Sequence, residues 1–165
     1  MRALVTGGAG FVGSNLVDRL IEENYDVTIL DNLLTGKEEN INPKAKWINI
    51  DVRDSLDDLD NFDVIFHLAA LARIQPSFEH PKESFDINLS GTVNICDLAK
   101  KTGAKVVYAG SSSFYAGPYL NPYSFTKWQS EEVCKMYSEV YDLPTAIARF
   151  FNVYGYRQTF EGAYA

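Results

Sequence analysis

The sequence predicts an α/β fold in which helices cover both faces of a doubly wound parallel sheet of about six strands, in the order 3-2-1-4-5-6. Three observations support this prediction. Short β-branched runs alternate with helical patterns along the 165 residues, as expected when crossover helices join parallel strands. A glycine-rich turn at residues 7–13 directly follows the first run. Asp31 ends the second run, 18 residues after Gly13, which is close to the spacing of dinucleotide-binding folds.

The strands and helices follow from hydrophobic periodicity. Six apolar runs predict strands over residues 2–6, 26–31, 47–50, 64–68, 106–109 and 145–149. Apolar residues at helical spacing predict helices over residues 11–23, 82–101 and 122–141. Pro122 suits the first turn of the last helix, and Gly103 suits the end of the one before it. With no repeat or linker between these elements, residues 1–165 are expected to form one domain.

Composition excludes several classes of function. The formal net charge of −7 argues against a nucleic-acid partner, and no apolar stretch is long enough to cross a membrane. The two cysteines, Cys96 and Cys134, fall in predicted helices and are expected to be reduced thiols. The sequence has no CxxC motif or Cys/His cluster and only two histidines, His67 and His80, so no metal site is predicted. The apolar start of the chain is too short for a signal peptide, and we expect a cytoplasmic location.

The glycine-rich turn predicts a phosphate-binding loop. Gly7, Gly10 and Gly13 lie in the segment that directly follows the first strand and opens the first helix, where glycine lets the backbone approach a pyrophosphate. The helix N-terminus there offers unpaired N–H groups and a positive dipole end. The alternative is a tight structural turn in which Asp31 merely caps the helix.

Asp31 indicates which dinucleotide binds. A carboxylate at the end of the second strand accepts hydrogen bonds from a ribose 2′-hydroxyl and repels a 2′-phosphate. The residues that follow, Asn32-Leu33-Leu34, bring no arginine to offset that repulsion. The sequence therefore predicts NAD rather than NADP.

Three further residues predict acid–base chemistry. Tyr123 and Lys127 are four residues apart at the start of a predicted helix, so they share one face. An ammonium stabilises a phenolate, which lowers the tyrosine pKa and makes a usable general base. Ser111 follows the fifth strand at the carboxyl edge of the sheet, where its hydroxyl can relay a proton or hold a substrate oxygen. The alternative for the Tyr–Lys pair is an ordinary surface contact.

Taken together, these motifs resemble the extended short-chain dehydrogenases that modify nucleotide sugars, most closely the UDP-sugar 4-epimerases. The resemblance covers nearly the whole chain. It rests on residues 7–13 (GGAGFVG), 31–32 (DN), 51–52 (DV), 67–70 (HLAA), 88–92 (NLSGT), 111–113 (SSS), 123–127 (YSFTK) and 149–155 (RFFNVYG).

The resemblance implies roles for particular residues. Those expected to bind NAD are Gly7, Gly10, Phe11, Val12, Gly13, Asp31, Asn32, Thr35, Gly36, Asp51, Val52, Leu68, Ala69, Ala70, Asn88, Tyr123, Lys127 and Phe151. Within this set, Phe11 and Val12 would bind the pyrophosphate and Lys127 the nicotinamide ribose. Those expected at the substrate are Ser111, Tyr123 and Asn152. Ordinary packing remains the alternative for Ala69, Ala70 and Phe151, a turn or cap for Asp51, and a structural role for His67.

Three departures from the family pattern bear on the reaction. Ser112 and Ser113 stand where the related dehydratases carry Asp-Glu and the decarboxylases a glutamate, which favours epimerisation. Ala72 replaces a lysine found in many epimerases, and the loop over residues 115–123 is short. Family members also continue beyond this length into a substrate domain, so we expect the C-terminal substrate domain to be absent and turnover by these 165 residues to be slow or nil.

The resemblance therefore implies an NAD-dependent nucleotide-sugar 4-epimerase or part of one, with a UDP-sugar as substrate. A small-alcohol oxidoreductase of the same fold and a non-catalytic NAD-binding module are the alternatives. A homodimer is also expected, through the helices near residues 82–101 and 122–142. Its motivation is that Trp128, Val133, Met136, Tyr137 and Val140 spread over more than one face of the second helix.

Overall fold

The computed structural model describes residues 1–158 and contains one six-stranded sheet. The strands are β1 (Arg2–Thr6), β2 (Asp26–Leu30), β3 (Lys46–Ile48), β4 (Val64–His67), β5 (Lys105–Ser111) and β6 (Thr145–Phe150). All pairs are parallel, in the order β3-β2-β1-β4-β5-β6. The predicted doubly wound sheet and its strand order are confirmed.

Alternate residues of the central strands point into two separate cores. On one face, Ala3 and Val5 of β1 pack with Val17 and Leu20 of the first helix, α1 (Phe11–Glu22). On the other face, Leu4 joins a larger core between the sheet and two later helices. Both faces of β1 are therefore buried from solvent, which explains the continuous apolar run in its sequence.

The larger core is closed by α4 (Gly91–Thr102) and α6 (Pro122–Tyr141). Gly103 ends α4 in the left-handed conformation, as predicted, and the side chain of Asn121 caps α6 by accepting from the Ser124 N–H. The helix predicted over residues 82–101 has a different form from the one expected. It consists of α3 (Pro81–Ser84), a π-helical segment (Phe85–Ser90) and α4.

Several short elements lie outside the predicted set. They are α2 (Ile74–Glu79), α5 (Ser113–Ala116), and single 3₁₀ turns at Glu38–Asn40 and Pro118–Leu120. On the α1 side of the sheet, an apolar groove of about 120 Å³ crosses β4, β5 and β6. Among residues 1–158, no helix combines the length and the apolar character needed to cross a bilayer.

Candidate functional site

The glycine loop brings the backbone of β1 and α1 into close contact. Gly7 has a φ of +70°, and a Cβ there would lie 2.8 Å from the Ala69 nitrogen. A Cβ on Gly13 would lie 2.1 Å from the carbonyl oxygen of Gly7. Gly10 precedes α1 without a side-chain cap, and the first turn of α1, which begins with Phe11 and Val12, carries no acidic residue. This uncapped N-terminus in a cradle that tolerates only glycine fits a pyrophosphate.

Asp31 lies directly beside this loop. One carboxylate oxygen accepts from the Ala9 N–H at 2.9 Å, and the other accepts from the Leu33 N–H at 2.8 Å. A Cβ on Gly36 would lie 2.9 Å from the second oxygen. The carboxylate is largely buried but has lone pairs left for a further donor, so capping of the loop and binding of a ribose hydroxyl are compatible roles.

The residues assigned to the adenosine end are joined by side-chain hydrogen bonds. Asn32, which is exposed, donates to Asp51 at 2.7 Å. Arg53 donates to both oxygens of Asp51 at 2.9 and 2.7 Å, and this hydrogen-bonded partner lowers the pKa of Asp51 below its ordinary value. Sequence reasoning missed Arg53, because it considered only the residues directly after Asp31.

Two other residues near this end differ in their environment. Thr35 is exposed on the loop that follows β2. Val52, in contrast, has its side chain buried against Gly91 at the start of α4. Its carbonyl accepts from the Asn94 side chain at 2.9 Å.

The end of β4 is braced by the π-helical segment. Leu68, Ala69 and Ala70 follow β4 and are half-buried. The side chain of Asn88 holds the next residue, Leu71, at both its backbone groups and also donates to Thr126 of α6 at 3.0 Å. Asn88 therefore connects the loop after β4 to the helix that carries Tyr123 and Lys127.

His67 is a structural residue in this network. Its Nδ1 lies 2.7 Å from the Thr6 hydroxyl, and its Nε2 lies 3.1 Å from the Thr92 hydroxyl, which itself donates to the Asn88 carbonyl. Burial, together with a smaller contribution from the Lys127 charge, lowers the pKa of His67 to about 3. A neutral imidazole with both nitrogens occupied agrees with the structural role expected from the sequence.

Ser111, Tyr123 and Lys127 meet at the carboxyl edge of β5. The Tyr123 hydroxyl lies 3.5 Å from the Ser111 oxygen. Lys127 is one turn further along α6, 5% exposed, with its ammonium 4.3 Å from the centre of the Tyr108 ring. The hydroxyl of Ser113, which sequence reasoning missed, donates to Ser111 at 2.9 Å.

Burial dominates the ionisation of this group. It raises the pKa of Tyr123 above its ordinary value, and the hydrogen bond with Ser111 offsets part of that rise. The sequence predicted a lowered pKa for Tyr123, and this prediction was wrong for the polypeptide alone, because burial outweighs the other contributions. Burial also lowers the pKa of Lys127 to about 8, against an opposing contribution from Glu131. Lys127 is therefore mostly a cation at neutral pH.

Phe151 and Asn152 follow β6 at the same edge and are exposed. The ring of Phe151 stacks on Tyr115 at a centroid distance of 5.8 Å. Beyond them the chain returns to α1, where the Asn15 amide donates to the Tyr156 carbonyl at 2.9 Å and Arg157 pairs with Asp18 at 2.7 Å.

The structure brings all the predicted site residues to one sheet edge except Val52, whose side chain faces the core.

A family model matches residues 3–165 of the chain, and its description is NAD-dependent epimerase/dehydratase family. This match confirms the resemblance stated from the motifs and the prediction of NAD as the cofactor. No group of three or more potential metal ligands occurs among the described residues 1–158.

Individual relatives point to nucleotide-sugar enzymes. The chain is 45% identical to a putative UDP-glucose 4-epimerase of Methanocaldococcus jannaschii, over 96% of this chain and 58% of that protein. It is 35% identical to a UDP-N-acetyl-alpha-D-glucosaminuronate decarboxylase of Bacillus cytotoxicus, over 99% and 58%. The crystal structure of a Thermotoga maritima UDP-glucose 4-epimerase with UDP-glucose superimposes with a TM-score of 0.93 at 31% identity, over 98% and 59%. The chain therefore spans somewhat more than half the length of these proteins.

Proposed function

The chain belongs to the NAD-dependent epimerase/dehydratase family, and we propose on that basis that it supplies the cofactor-binding and acid–base part of a nucleotide-sugar 4-epimerase. The observation that carries the proposal is the position of Ser111, Tyr123 and Lys127 at the same sheet edge as the glycine loop. We assign the domain to residues 1–165, of which residues 159–165 lie outside the described part, and a cytoplasmic location is part of the same proposal.

The residues along this edge fit an extended dinucleotide. Gly7 and Gly13 allow the tight packing of the loop that opens α1, where the pyrophosphate would bind. Asp31 and Asn32 would hold the adenosine end, and Lys127 would lie at the other end. When bound, NAD supplies a hydride acceptor that can also return the hydride. All other steps fall to side chains of the protein.

Tyr123 is the group proposed to exchange a proton with the C4 hydroxyl of the sugar. Its own hydroxyl lies 3.5 Å from Ser111, so a substrate oxygen held by Ser111 would also be within reach of Tyr123. The positive charge of Lys127 favours the phenolate over the neutral phenol. Tyr123, assisted by Lys127, can take the proton from the C4 hydroxyl and later return it, as inversion at C4 requires.

Epimerisation is favoured over decarboxylation or elimination by the groups around Ser111. The nearest polar partner is the Ser113 hydroxyl rather than a carboxylate. The buried carboxylate of this region, Glu131, is held by Arg149 at 2.8 Å and cannot serve as a free acid. Relatives include both UDP-sugar epimerases and decarboxylases, and we propose a UDP-sugar as the substrate.

The test follows two products on one sample. The chain, in stoichiometric amount so that slow turnover is detected, is mixed with NAD and with UDP-glucose, UDP-N-acetylglucosamine or simple alcohols. We expect inversion at C4 by NMR without net release of NADH. Net NADH from simple alcohols would indicate an oxidoreductase instead. NAD binding without any turnover is the result expected both of a non-catalytic module and of an epimerase domain tested without its substrate domain, so slow inversion at C4 is the outcome that supports the proposal.

The matched variant is Tyr123→Phe, which removes only the hydroxyl. We expect it to lose inversion by at least about 100-fold while NAD binds with nearly unchanged affinity by calorimetry, because the glycine loop and Asp31 hold the cofactor. A Tyr123→Phe variant that inverts C4 at the wild-type rate would contradict the assignment of Tyr123.

A further inference from the structure

A buried ion pair lies one turn beyond Lys127 on α6. Glu131 is 1% exposed, and Arg149 of β6 donates to its Oε2 through Nε at 3.0 Å and Nη2 at 2.8 Å, and to its Oε1 through Nε at 3.3 Å. A carboxylate removed from water costs several kcal/mol unless it is paired in this way. No part of the proposed reaction uses it as an acid or a base.

The backbone next to Ser111 makes room for this carboxylate. A Cβ on Gly110 would lie 2.6 Å from Glu131 Oε1 and 2.8 Å from a methyl group of Ile147. Only glycine at this position lets the carboxylate lie against β5, directly before Ser111. The carboxylate therefore lies against the β5 backbone one residue before Ser111.

Arg149 is held on its outer side by the turn that follows Ser111. Its Nη1 donates to the Tyr115 hydroxyl at 3.2 Å, and its guanidinium lies 3.6 Å from the centre of the Phe114 ring. Each guanidinium nitrogen thus has a hydrogen-bond partner and the group also contacts an aromatic ring, and these contacts fix the position of the carboxylate it binds.

Tyr123, Lys127 and Glu131 are spaced by four residues and share one face of α6. Burial disfavours the Lys127 ammonium, and the carboxylate is the largest opposing influence on its pKa. The titratable groups facing Lys127 are Tyr123, Glu131 and Cys134 on α6, Tyr108 on β5 and His67 on β4. Of these, Glu131 is the one held in an ion pair, with Arg149, whereas burial keeps His67 neutral.

We propose that Glu131, fixed by Arg149, is a positioning residue that keeps the buried Lys127 ammonium charged. The proposal rests on the proposed function in one respect, namely that a charged Lys127 is what the tyrosine and the cofactor require. The electrostatic coupling between the Glu131 carboxylate and the Lys127 ammonium does not depend on NAD or on a substrate.

The coupling can be measured directly. Lysine carrying ¹³C at Cε is incorporated into the full chain, the Lys127 signal is assigned as the one missing in Lys127→Met, and its chemical shift is followed against pH. In wild type the midpoint is expected near the pKa of about 8. In Glu131→Gln, which keeps the shape and removes the charge, we expect it to fall by about one unit.

Two comparisons separate coupling from a merely structural role. Glu132→Gln removes the same charge from the neighbouring, solvent-exposed position, where Glu132 pairs with Lys135, and should leave the Lys127 midpoint unchanged. If Glu131→Gln alone does not fold, the double variant Glu131→Gln/Arg149→Gln replaces the ion pair by two neutral amides and should show a fall in the same direction, smaller because the Arg149 charge is removed as well. An unchanged Lys127 midpoint in a folded Glu131 variant, or an equal fall in Glu132→Gln, would overturn the proposal. Neither result depends on turnover, so failure here is distinct from failure of the epimerase assignment.

Discussion

Asp31 combines a structural role with the proposed recognition role in one carboxylate. Its hydrogen bonds to the N–H groups of Ala9 and Leu33 fix the glycine loop against the end of β2. Those bonds also hold the negative charge at the place where a ribose 2′-substituent would approach. A substitution of Asp31 is therefore expected to disturb the loop, which lowers the affinity for every dinucleotide, and also to change the ratio of the NAD and NADP affinities.

The first prediction concerns that discrimination. Wild type should bind NAD more tightly than NADP by about 1–3 kcal/mol, because a 2′-phosphate would meet the carboxylate. Asp31→Asn should weaken both cofactors through the loop but bring their affinities closer together. Calorimetric titration of both dinucleotides measures the ratio. Asp26→Asn, at the exposed opposite end of β2, is the control and should leave the ratio unchanged. Equal affinities in wild type would refute the role of Asp31.

The second prediction concerns the pH dependence of stability. Burial lowers the pKa of Lys127 from 10.5 to about 8, so between these values the unfolded chain holds a proton that the folded chain has released. Stability therefore rises with pH across this range, and below it the full penalty is present, about 3 kcal/mol. Lys127→Met should be more stable than wild type at pH 7 by up to that amount, and the difference should shrink as the pH rises towards 10.5.

Urea unfolding of both proteins at pH 7 and 10 measures this effect, since the difference between them isolates Lys127 from the tyrosines that also titrate. Lys135→Met, at a half-exposed position on the same helix, is the control and should show the same small difference from wild type at both pH values. A constant difference between Lys127→Met and wild type would show that the ammonium is not penalised by burial.

At the scale of elements, the strands and their order were predictable from the sequence. The π-helical segment within the helix predicted before β5 was not. The apolar run of β1 is continuous because both faces of the strand are buried. The π-helical segment Phe85–Ser90 has no comparable signal. Within it, the Asn88 carbonyl accepts from Thr92 and from Ser130 of α6, and bonds to a distant helix leave no periodicity in the local sequence.

The candidate site was predictable to the extent that its residues occur in short motifs. The glycine loop and the Tyr–Lys pair are local, and their spacing alone places them. Glu131 and Arg149 are 18 residues apart on different elements. Arg53 lies two residues after Asp51 in an irregular turn, where periodicity predicts no contact. The raised pKa of Tyr123 was missed because it depends on burial, which is a property of the folded chain.

At the scale of the whole molecule, the outer face of α6 retains more apolar surface than the two cores use. Tyr137 is buried and Val133 packs against the larger core. Met136 and Val140 are 42% and 62% exposed. Near the start of the same helix, four aromatic rings lie 5.6–6.1 Å apart, those of Phe85, Tyr119, Phe125 and Trp128. This surface coincides with the helices from which a dimer was predicted.

The third prediction is that two copies pair through this face. Light scattering at micromolar concentration should give twice the 18.5 kDa mass of the chain. The double variant Met136→Glu/Val140→Lys should be monomeric yet folded, because both positions are exposed and the new charges are four residues apart on a helix in the favourable orientation. Phe78→Glu on α2, where Phe78 is 55% exposed, alters apolar surface outside the predicted interface and should leave the dimer intact. A monomeric wild type would refute the pairing. Loss of the dimer in Phe78→Glu alone would place the contact on α2 instead.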